Sequence, residues 1–142
     1  MVELMEKGYL KHVISQNIDG LHRKSGIPGN KISEVHGNTN LELCTKCNTE
    51  YMRDFRVRTS NKVHDHKTGR KCENPACRGD LIDSIINFGD FLDENILRKG
   101  QEEGEKCDLM LSLGSSLRIP PACGIPEAVG ENPDQSHVIV NL

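Results

Sequence analysis

Residues 108–114 read Asp-Leu-Met-Leu-Ser-Leu-Gly, a nearly continuous apolar run that ends on a glycine. Such a run is typical of a central strand in a parallel sheet, because both faces of that strand are buried. Apolar patterning predicts further strands at 11–15, 32–36, 41–43, 81–86 and 137–141. It also predicts helices at 92–104 and 120–130. Strands that alternate with helices favour an α/β fold on a parallel sheet.

Polar side chains follow the first predicted strand. Gln16, Asn17 and Asp19 come directly after residues 11–15. Ligands of parallel α/β sheets bind at the carboxyl ends of the strands, and amides with a carboxylate can hydrogen-bond ribose hydroxyls or a carboxamide. Asn and Asp also favour ordinary turns, so this signal is weak when it stands alone.

Two further strand ends carry reactive or ligand-binding residue types. His36, beside Gly37, can take a proton from a sugar hydroxyl near neutral pH, although a lone histidine is as often structural. Gly114, Ser115 and Ser116 follow the apolar run, where small hydroxylated residues can cradle phosphate or ribose. Three polar strand ends in one sheet together predict a ligand site.

Four cysteines predict a metal centre. Cys44-x2-Cys47 and Cys72-x4-Cys77 are separated by 24 residues, which matches a tetrahedral four-cysteine zinc site. Four thiolates leave no open coordination position, so the zinc is expected to be structural. The segment between the pairs has little apolar content and is expected to need the metal to fold.

Alternatives to this assignment stay open. The two pairs could be unrelated buried cysteines, and the longer second spacing leaves room for His64 or His66 as ligands. Cys107 and Cys123 fall outside the pattern and are interpreted as packing residues.

Residues 53–71 carry seven Lys and Arg against two acidic residues, in a chain of net charge −3. A solvated loop around a metal site is the favoured interpretation, and a patch for phosphate or an acidic partner is the alternative. Phe55 is its only aromatic residue, so direct base stacking is not expected and nucleic-acid contact is weakly supported. No run approaches the ~20 apolar residues of a membrane span, residues 1–8 lack an apolar signal-peptide core, and a reducing intracellular compartment is expected.

Taken together, these motifs resemble the sirtuin family of NAD-dependent protein deacylases. The resemblance rests on the cysteine quartet and on six segments that occur in the same order, at 15–22, 25–26, 34–38, 85–89, 113–117 and 139–142. Gly37-Asn38 and residues 113–117 look most like the nuclear, chromatin-associated class IV branch. The implied fold is a partial Rossmann-like parallel sheet with an inserted small zinc-ribbon module, divided as 1–43, 44–80 and 81–142.

The resemblance also implies roles at the strand ends. Gln16 and Asn17 would hold the nicotinamide ribose of NAD, beside Ile18, and Asp19 would bind the carboxamide. His36 would be the general base, with Asn17 as the second catalytic residue. His36 would deprotonate a ribose hydroxyl after the acyl-lysine oxygen has displaced nicotinamide, so that the products are free lysine and acyl-ADP-ribose.

Further contacts are implied around this centre. The adenosine side of NAD would touch Gly114, Ser115, Ser116, Asn141 and Leu142, and the four cysteines would bind one structural zinc. Phe88 and Gly89 would lie in a strand that pairs with the acyl-lysine peptide. The expected substrate is a histone or another chromatin protein, and the expected localisation is nuclear.

The sequence departs from the family pattern in places. It starts after the glycine-rich turn that cradles the NAD phosphates and stops at Leu142, so a half-built cofactor pocket with low activity is expected. Ser115 stands where threonine is commoner, and Asp90 where glutamate is usual. Alternative functions are protein mono-ADP-ribosyl transfer, a non-catalytic zinc-stabilised module that binds chromatin or protein through residues 50–71, and, last, a zinc-ribbon nucleic-acid binder.

Overall fold

The structure is a computed structural model that describes residues 1–141. Its α-helices are α1 (Val2–Glu6), α2 (Leu21–Lys24), α3 (Glu94–Glu105) and α4 (Gly124–Glu131). Its strands are β1 (Val13–Ser15), β2 (Ile32–Glu34), β3 (Leu41–Cys44), β4 (Glu50–Met52), β5 (Lys67–Lys71), β6 (Asp80–Asp83), β7 (Leu109–Leu113) and β8 (Ser136–Val140). A 3-10 turn at Gly29–Lys31 precedes β2.

The strands form three sheets within the described residues. β1 and β2 are parallel, with Ser15 opposite Glu34 at their carboxyl ends. β7 and β8 form a second parallel pair in which Leu113 lies opposite Val140. An antiparallel sheet in the order β4-β3-β6-β5 lies between them in the sequence. The expected parallel α/β strands are therefore present, but they form two separate pairs, not one hydrogen-bonded sheet.

Helix α3 lies between the two parallel pairs. Its buried glycines Gly100 and Gly104 give room for the neighbours. A Cβ on Gly104 would lie 3.0 Å from the Ile125 side chain of α4, and a Cβ on Gly100 would lie 3.5 Å from the Ile14 side chain of β1. Close helix packing at these glycines couples the first strand pair to the second.

The predicted elements are present, but several boundaries were wrong: the helix expected at 120–130 begins at Gly124, and the strands expected at 11–15 and 32–36 are shortened to Val13–Ser15 and Ile32–Glu34. The strand expected at 81–86 ends at Asp83, and its residues Asp80–Asp83 pair with β3 and β5 in the antiparallel sheet. The Asp83 carboxylate accepts a hydrogen bond from the Ile85 backbone N–H at 3.0 Å, which turns the chain away from strand geometry. Residues 84–87 consequently form no strand.

The two faces of the β7–β8 pair differ in burial. Met110 and Ser112 are half-buried, whereas Leu109, Leu111 and Leu113 are each more than half exposed. The prediction of a central strand buried on both faces is therefore wrong within the described residues, where β7 pairs with β8 alone. Within residues 1–141, no helix combines the length and the apolar character that crossing a bilayer requires.

Candidate functional site

The histidine at the end of β2 is held by the chain that leaves β1. His36 Nδ1 lies 3.1 Å from the backbone carbonyl oxygen of Gln16. A carbonyl only accepts hydrogen bonds, so Nδ1 carries the proton and donates it. In the neutral ring this assignment leaves a lone pair on Nε2. His36 is therefore fixed in the tautomer that a general base requires, with its ring half-buried.

The turn that follows β7 reaches the same place. The Ser115 hydroxyl donates to Gln16 Oε1 at 3.0 Å and accepts from the Leu117 backbone N–H at 3.2 Å. The Gly114 backbone N–H donates to the Val140 carbonyl at 2.9 Å, which joins the ends of β7 and β8. Gln16 thus contacts two of the three predicted strand-end motifs, His36 through its backbone and Ser115 through its side chain.

The loop after β1 presents its polar residues outward. Asn17, Ile18 and Asp19 are exposed, and the Asp19 carboxylate accepts from the Leu21 backbone N–H at 3.0 Å at the start of α2. Gly20 has a φ of +72°. Asp19 thereby stabilises the first turn of α2 in this structure, and its second carboxylate oxygen is available to a ligand.

A buried polar floor supports His36. Asn38 is fully buried, and its amide donates to Glu34 Oε1 at 2.7 Å and accepts from the Asn40 backbone N–H at 2.8 Å. Burial raises the pKa of Glu34, and the hydrogen bond from Asn38 offsets part of that rise. Gly37 has a φ of +82°, and a Cβ there would lie 1.9 Å from the Ser84 carbonyl oxygen.

Some predicted site residues lie at the margin. Phe88 and Gly89 form the corner of an exposed turn and not a strand, and Phe88 is 90% exposed. Ser116 and Asn141 are exposed at the ends of the second strand pair. Leu142 lies outside the described residues. The binding roles of all five stay predictions.

The four cysteines form one cluster. The Sγ atoms of Cys44, Cys47, Cys72 and Cys77 all lie within 4.8 Å of one another, with Cys44–Cys77 at 3.6 Å and Cys47–Cys72 at 3.7 Å. A tetrahedral zinc with Zn–S bonds of about 2.3 Å separates its sulfurs by about 3.8 Å. The donor set and its spacing therefore fit a structural zinc.

Nearby hydroxyls support this cluster. The Tyr51 hydroxyl lies 3.1 Å from Cys72 Sγ, and the Thr49 hydroxyl lies 3.1 Å from Cys47 Sγ. Hydrogen bonds from the Thr49 side chain and backbone lower the pKa of Cys47 to about 6. Donors of this kind stabilise the thiolate, which is the form of cysteine that binds metal.

The alternative ligands and the remaining cysteines lie elsewhere. His64 and His66 contact Asp90 and Asp83, not the cysteine cluster. Cys107 and Cys123 are half-buried. Burial raises the pKa of the Cys107 thiol, which disfavours the nucleophilic thiolate.

A buried ionic centre beneath residues 53–71 was not predicted from the sequence. Glu42 is fully buried on β3 and accepts from Arg53 Nε at 2.9 Å and from Arg70 Nε at 2.6 Å. Arg53 also contacts Glu73, and Arg70 lies 5.3 Å from the centre of the Phe55 ring. Part of the positive charge of residues 53–71 is consequently used inside the module. The only sequence signal was an acidic residue in an apolar strand.

Comparisons with known proteins agree with this geometry. A profile of the Sir2 family matches residues 1–121. The chain is 44% identical over 126 residues to the NAD-dependent protein deacetylase SRT1 of Arabidopsis thaliana, covering 89% of this chain and 26% of that protein. It is 41% identical over 124 residues to the NAD-dependent protein deacetylase sirtuin-7 of Homo sapiens, covering 84% of this chain and 30% of that protein.

Solved structures give the same result. The crystal structure of a Sir2 homologue–NAD complex superposes with a TM-score of 0.70 at 27% identity, covering 98% of this chain and 50% of that one. A Sir2 structure bound to acetylated peptide superposes with a TM-score of 0.67 at 30% identity, covering 99% and 55%. The chain thus spans between a quarter and a third of these curated relatives and about half of the solved chains.

The profile match over residues 1–121, with relatives at 41% and 44% identity, identifies the class of this protein as sirtuin. The chain belongs to the Sir2 family, as its motifs indicated.

Proposed function

We propose that this chain carries the catalytic centre of an NAD-dependent protein-lysine deacylase of sirtuin type. The lysine acyl group would be transferred to ADP-ribose and nicotinamide would be released. The observation that carries the proposal is the contact of His36 Nδ1 with the Gln16 carbonyl, because it leaves Nε2 as a proton acceptor at the sheet edge. The NAD complex and the acetylated-peptide complex of similar proteins support the same reaction class.

His36 is proposed as the general base. Its Nε2 would accept a proton from a ribose hydroxyl, and the imidazolium that forms would be stabilised by the Gln16 carbonyl on the opposite nitrogen. Asn17, the exposed residue that follows Gln16, would orient the same ribose. The buried Asn38–Glu34 pair keeps the backbone under His36 rigid.

The other strand ends are proposed to bind the rest of NAD. Gln16, Ile18 and Asp19 would surround the nicotinamide half. Gly114, Ser115 and Ser116, with Asn141 and Leu142, would contact the adenosine half. Ser115 supports this assignment because its hydrogen bond to Gln16 places the two halves of the site next to each other.

The zinc would be structural in this proposal. Cys44, Cys47, Cys72 and Cys77 would hold it in a closed tetrahedral set, so the metal would contribute folding energy to the module and no chemistry to the acyl transfer.

An acyl-lysine protein is the proposed substrate, and Phe88 and Gly89 are proposed to contact its backbone. Sirtuin-7 and Sirt6 stand among the similar proteins, which supports a histone or chromatin substrate and a nuclear location as the finer proposal.

A product assay tests the proposal. The purified zinc-loaded chain is incubated with NAD and an acetyl-lysine histone peptide, and acyl-ADP-ribose is measured by mass spectrometry. His36→Ala should abolish the product. His137→Gln is the matched control, because the His137 side chain is also half-buried and, among the described residues, hydrogen-bonds Ser112 and not Gln16.

The products also separate two chemistries. Acyl-ADP-ribose and free lysine support deacylation. ADP-ribose attached to a protein, with the acetyl group still on the peptide, would replace the proposal with mono-ADP-ribosyl transfer. A folded, zinc-bound chain that forms neither product would contradict catalysis by this chain and favour a half-built pocket or a non-catalytic binding module.

A further inference from the structure

One arginine of the cysteine module holds three parts of the chain together. The Arg58 side chain is 10% exposed, and its Nη2 donates to the backbone carbonyl oxygens of Lys62, at 2.8 Å, and of Val63. Its Nη1 donates to Asn87 Oδ1 at 3.3 Å. Its Nε lies 3.8 Å from Asp83 Oδ2, which is an ion-pair distance and not a hydrogen bond. One guanidinium therefore contacts its own loop, the end of β6 and the start of the proposed peptide-contacting turn.

Burial of Asp83 fixes one side of this arginine. The Asp83 side chain is 1% exposed, and its Oδ2 has no hydrogen-bond partner among residues 1–141. A buried carboxylate is costly unless an opposite charge lies close to it. A guanidinium stays protonated over the whole physiological pH range, so Arg58 supplies that charge without any titration.

Asn87 connects the arginine to the turn. Its Oδ1 accepts from Arg58, and its Nδ2 donates to the Val63 carbonyl at 2.8 Å and to Asp90 Oδ2 at 2.7 Å. The guanidinium only donates, whereas the carbonyl and the ionised carboxylate only accept, so all three contacts require the same orientation of the amide. The Asn87 side chain consequently cannot turn over without losing all three hydrogen bonds.

The turn of residues 87–90 depends on these polar contacts. Asp90 Oδ2 also accepts from the Asn87 backbone N–H at 2.7 Å, and the Asp90 N–H donates to the Asn87 carbonyl at 3.0 Å. Hydrogen bonding, above all from the Asn87 side chain, holds the pKa of Asp90 well below its usual range, so this carboxylate is ionised near neutral pH. Phe88 is 90% exposed and the neighbouring Phe91 is 97% exposed, so burial of these rings does not fix the turn.

We infer that Arg58 is a positioning residue for the substrate peptide, because it holds the 87–90 turn against the cysteine module through Asn87 and thereby fixes Phe88 and Gly89. It contacts neither the substrate nor the reacting atoms. Through this contact the cysteine module contributes to peptide binding as well as to stability. The consequence for peptide affinity rests on the proposed function, whereas the effect on the turn does not.

Substitutions at two neighbouring arginines separate geometry from charge. Arg58→Lys keeps a cation beside Asp83, but an ammonium lacks the planar fork that reaches Asn87 and the loop carbonyls together. Arg58→Gln removes the charge as well. Arg56→Gln is the matched control for lost positive charge, because Arg56 is exposed two residues away.

Two measurements on the zinc-loaded chain test the inference, namely hydrogen exchange of the backbone amides and the Kd of an acetyl-lysine peptide. Arg58→Lys should lower the protection of the Asn87 and Asp90 amides about tenfold, the effect of losing one hydrogen bond to a charged donor. The amides of β3 and β6 should keep their protection. The peptide Kd should rise by at most the same factor, because the peptide binds only chains in which the turn is formed. Arg58→Gln should lose at least as much protection, and Arg56→Gln should match the wild type in both measurements.

Three results would overturn the inference. The first is wild-type protection and affinity in Arg58→Lys. The second is an equal loss of affinity in Arg56→Gln, which would make net charge the cause. The third is a loss of protection in Arg58→Lys that is as large in β3 and β6 as in the turn, which would make Arg58 a general stabiliser of the module.

Asn87→Ala tests the connecting contact itself, since it leaves the Arg58–Asp83 ion pair in place. Protection of the Asp90 amide should fall in Asn87→Ala, and adding Arg58→Lys should lower it little further, because the shared hydrogen bond is already lost. Full additivity of the two losses would contradict a link through Asn87.

Peptide affinity separates this inference from the proposed function. A rise in Kd that accompanies the local loss of protection supports both. Turn protection that responds to Arg58, in a chain that binds no acetyl-lysine peptide, upholds the link between Arg58 and the turn and contradicts the peptide role of Phe88 and Gly89. Peptide binding with turn protection that is indifferent to Arg58 contradicts the positioning role alone.

Discussion

The cysteine module and the strand-end site are stabilised in different ways. Cys44, Cys72 and Glu42 are almost completely buried, and each has two or more polar or metal-type partners. Asn17 and Asp19, at the strand ends, are exposed and make only local hydrogen bonds: the Asn17 backbone with the Ser15 hydroxyl, and the Asp19 carboxylate with the Leu21 N–H. The module is a scaffold whose residues serve each other, whereas the strand ends leave polar groups available to a ligand. Substitutions should therefore change stability most in the module and ligand contacts most at the strand ends.

Loss of a zinc ligand should have the largest effect. Cys44→Ser is expected to abolish zinc binding and unfold the antiparallel sheet, because binding of structural zinc contributes on the order of 10 kcal/mol to folding. Metal content and circular dichroism measure this. Cys123→Ser, half-buried outside the cluster, should keep one zinc per chain. A Cys44→Ser protein with one zinc and unchanged melting would refute the metal assignment.

The buried carboxylate comes second. Glu42→Ala should lower the free energy of unfolding by about 3 kcal/mol, because it leaves Arg53 and Arg70 without their shared partner. Glu73→Ala is the matched control, since Glu73 also contacts Arg53 but is 60% exposed, and it should cost under about 1 kcal/mol. Urea unfolding measures both. Equal losses of unfolding free energy in Glu42→Ala and Glu73→Ala would mean that burial does not strengthen the ion pairs of Glu42.

The same residue predicts a pH dependence. Burial would raise the pKa of Glu42, but hydrogen bonds from Thr68, Arg53 and Arg70 outweigh it and lower the pKa. Its contribution is then present above the ordinary glutamate value of about 4.3 and lost as the pH falls through the folded value. Unfolding curves from neutral to acidic pH should lose stability less steeply in Glu42→Gln. Parallel curves would argue against an ionised Glu42.

Gly37 tests the floor of the strand-end site. Gly37→Ala should cost about 2 kcal/mol or more, because a positive φ disfavours any side chain and its Cβ would meet the Ser84 carbonyl oxygen. Gly69→Ala shares a positive φ, +78°, but has open space around its Cβ, so it should lose only about 1 kcal/mol. The difference between the two losses of unfolding free energy isolates the effect of the close contact between the Gly37 Cβ position and the Ser84 carbonyl oxygen. Equal losses would contradict that effect.

The link between the two halves of the site should be the smallest effect. Ser115→Ala and Gln16→Ala remove one shared hydrogen bond, so a double-mutant cycle on unfolding should give a coupling of about 1 kcal/mol. Strict additivity of the two losses would show that Ser115 and Gln16 do not interact in solution.

Sequence predicted what depends on local patterning. The long apolar run of β7 and the paired cysteine spacing each determine structure within a few residues, and both predictions are confirmed as strand and cluster. The strand at 81–86 was predicted too long, because the Asp83 side chain bends the chain by capping Ile85. That is a side-chain hydrogen bond which apolar periodicity cannot reveal.

Pairings distant in the sequence were not predicted. Glu42 meets Arg70 across 28 residues, and His66 meets Asp83 and Asp90 across two loops. Charged residues at such separations look like solvated surface in a sequence, because their burial depends on how the antiparallel sheet folds back. The separation of the parallel strands into two pairs was also not predicted, because strand pairing depends on contacts between residues that are distant in the sequence.

The tautomer of His36 tests the account of the site most directly. Long-range proton–nitrogen NMR of selectively labelled histidine would locate the ring proton near neutral pH. We expect a proton on Nδ1, donated to the Gln16 carbonyl, and no proton on Nε2 of the neutral ring. A neutral ring with its proton on Nε2 would leave His36 unable to act as the base at this edge and would contradict the account.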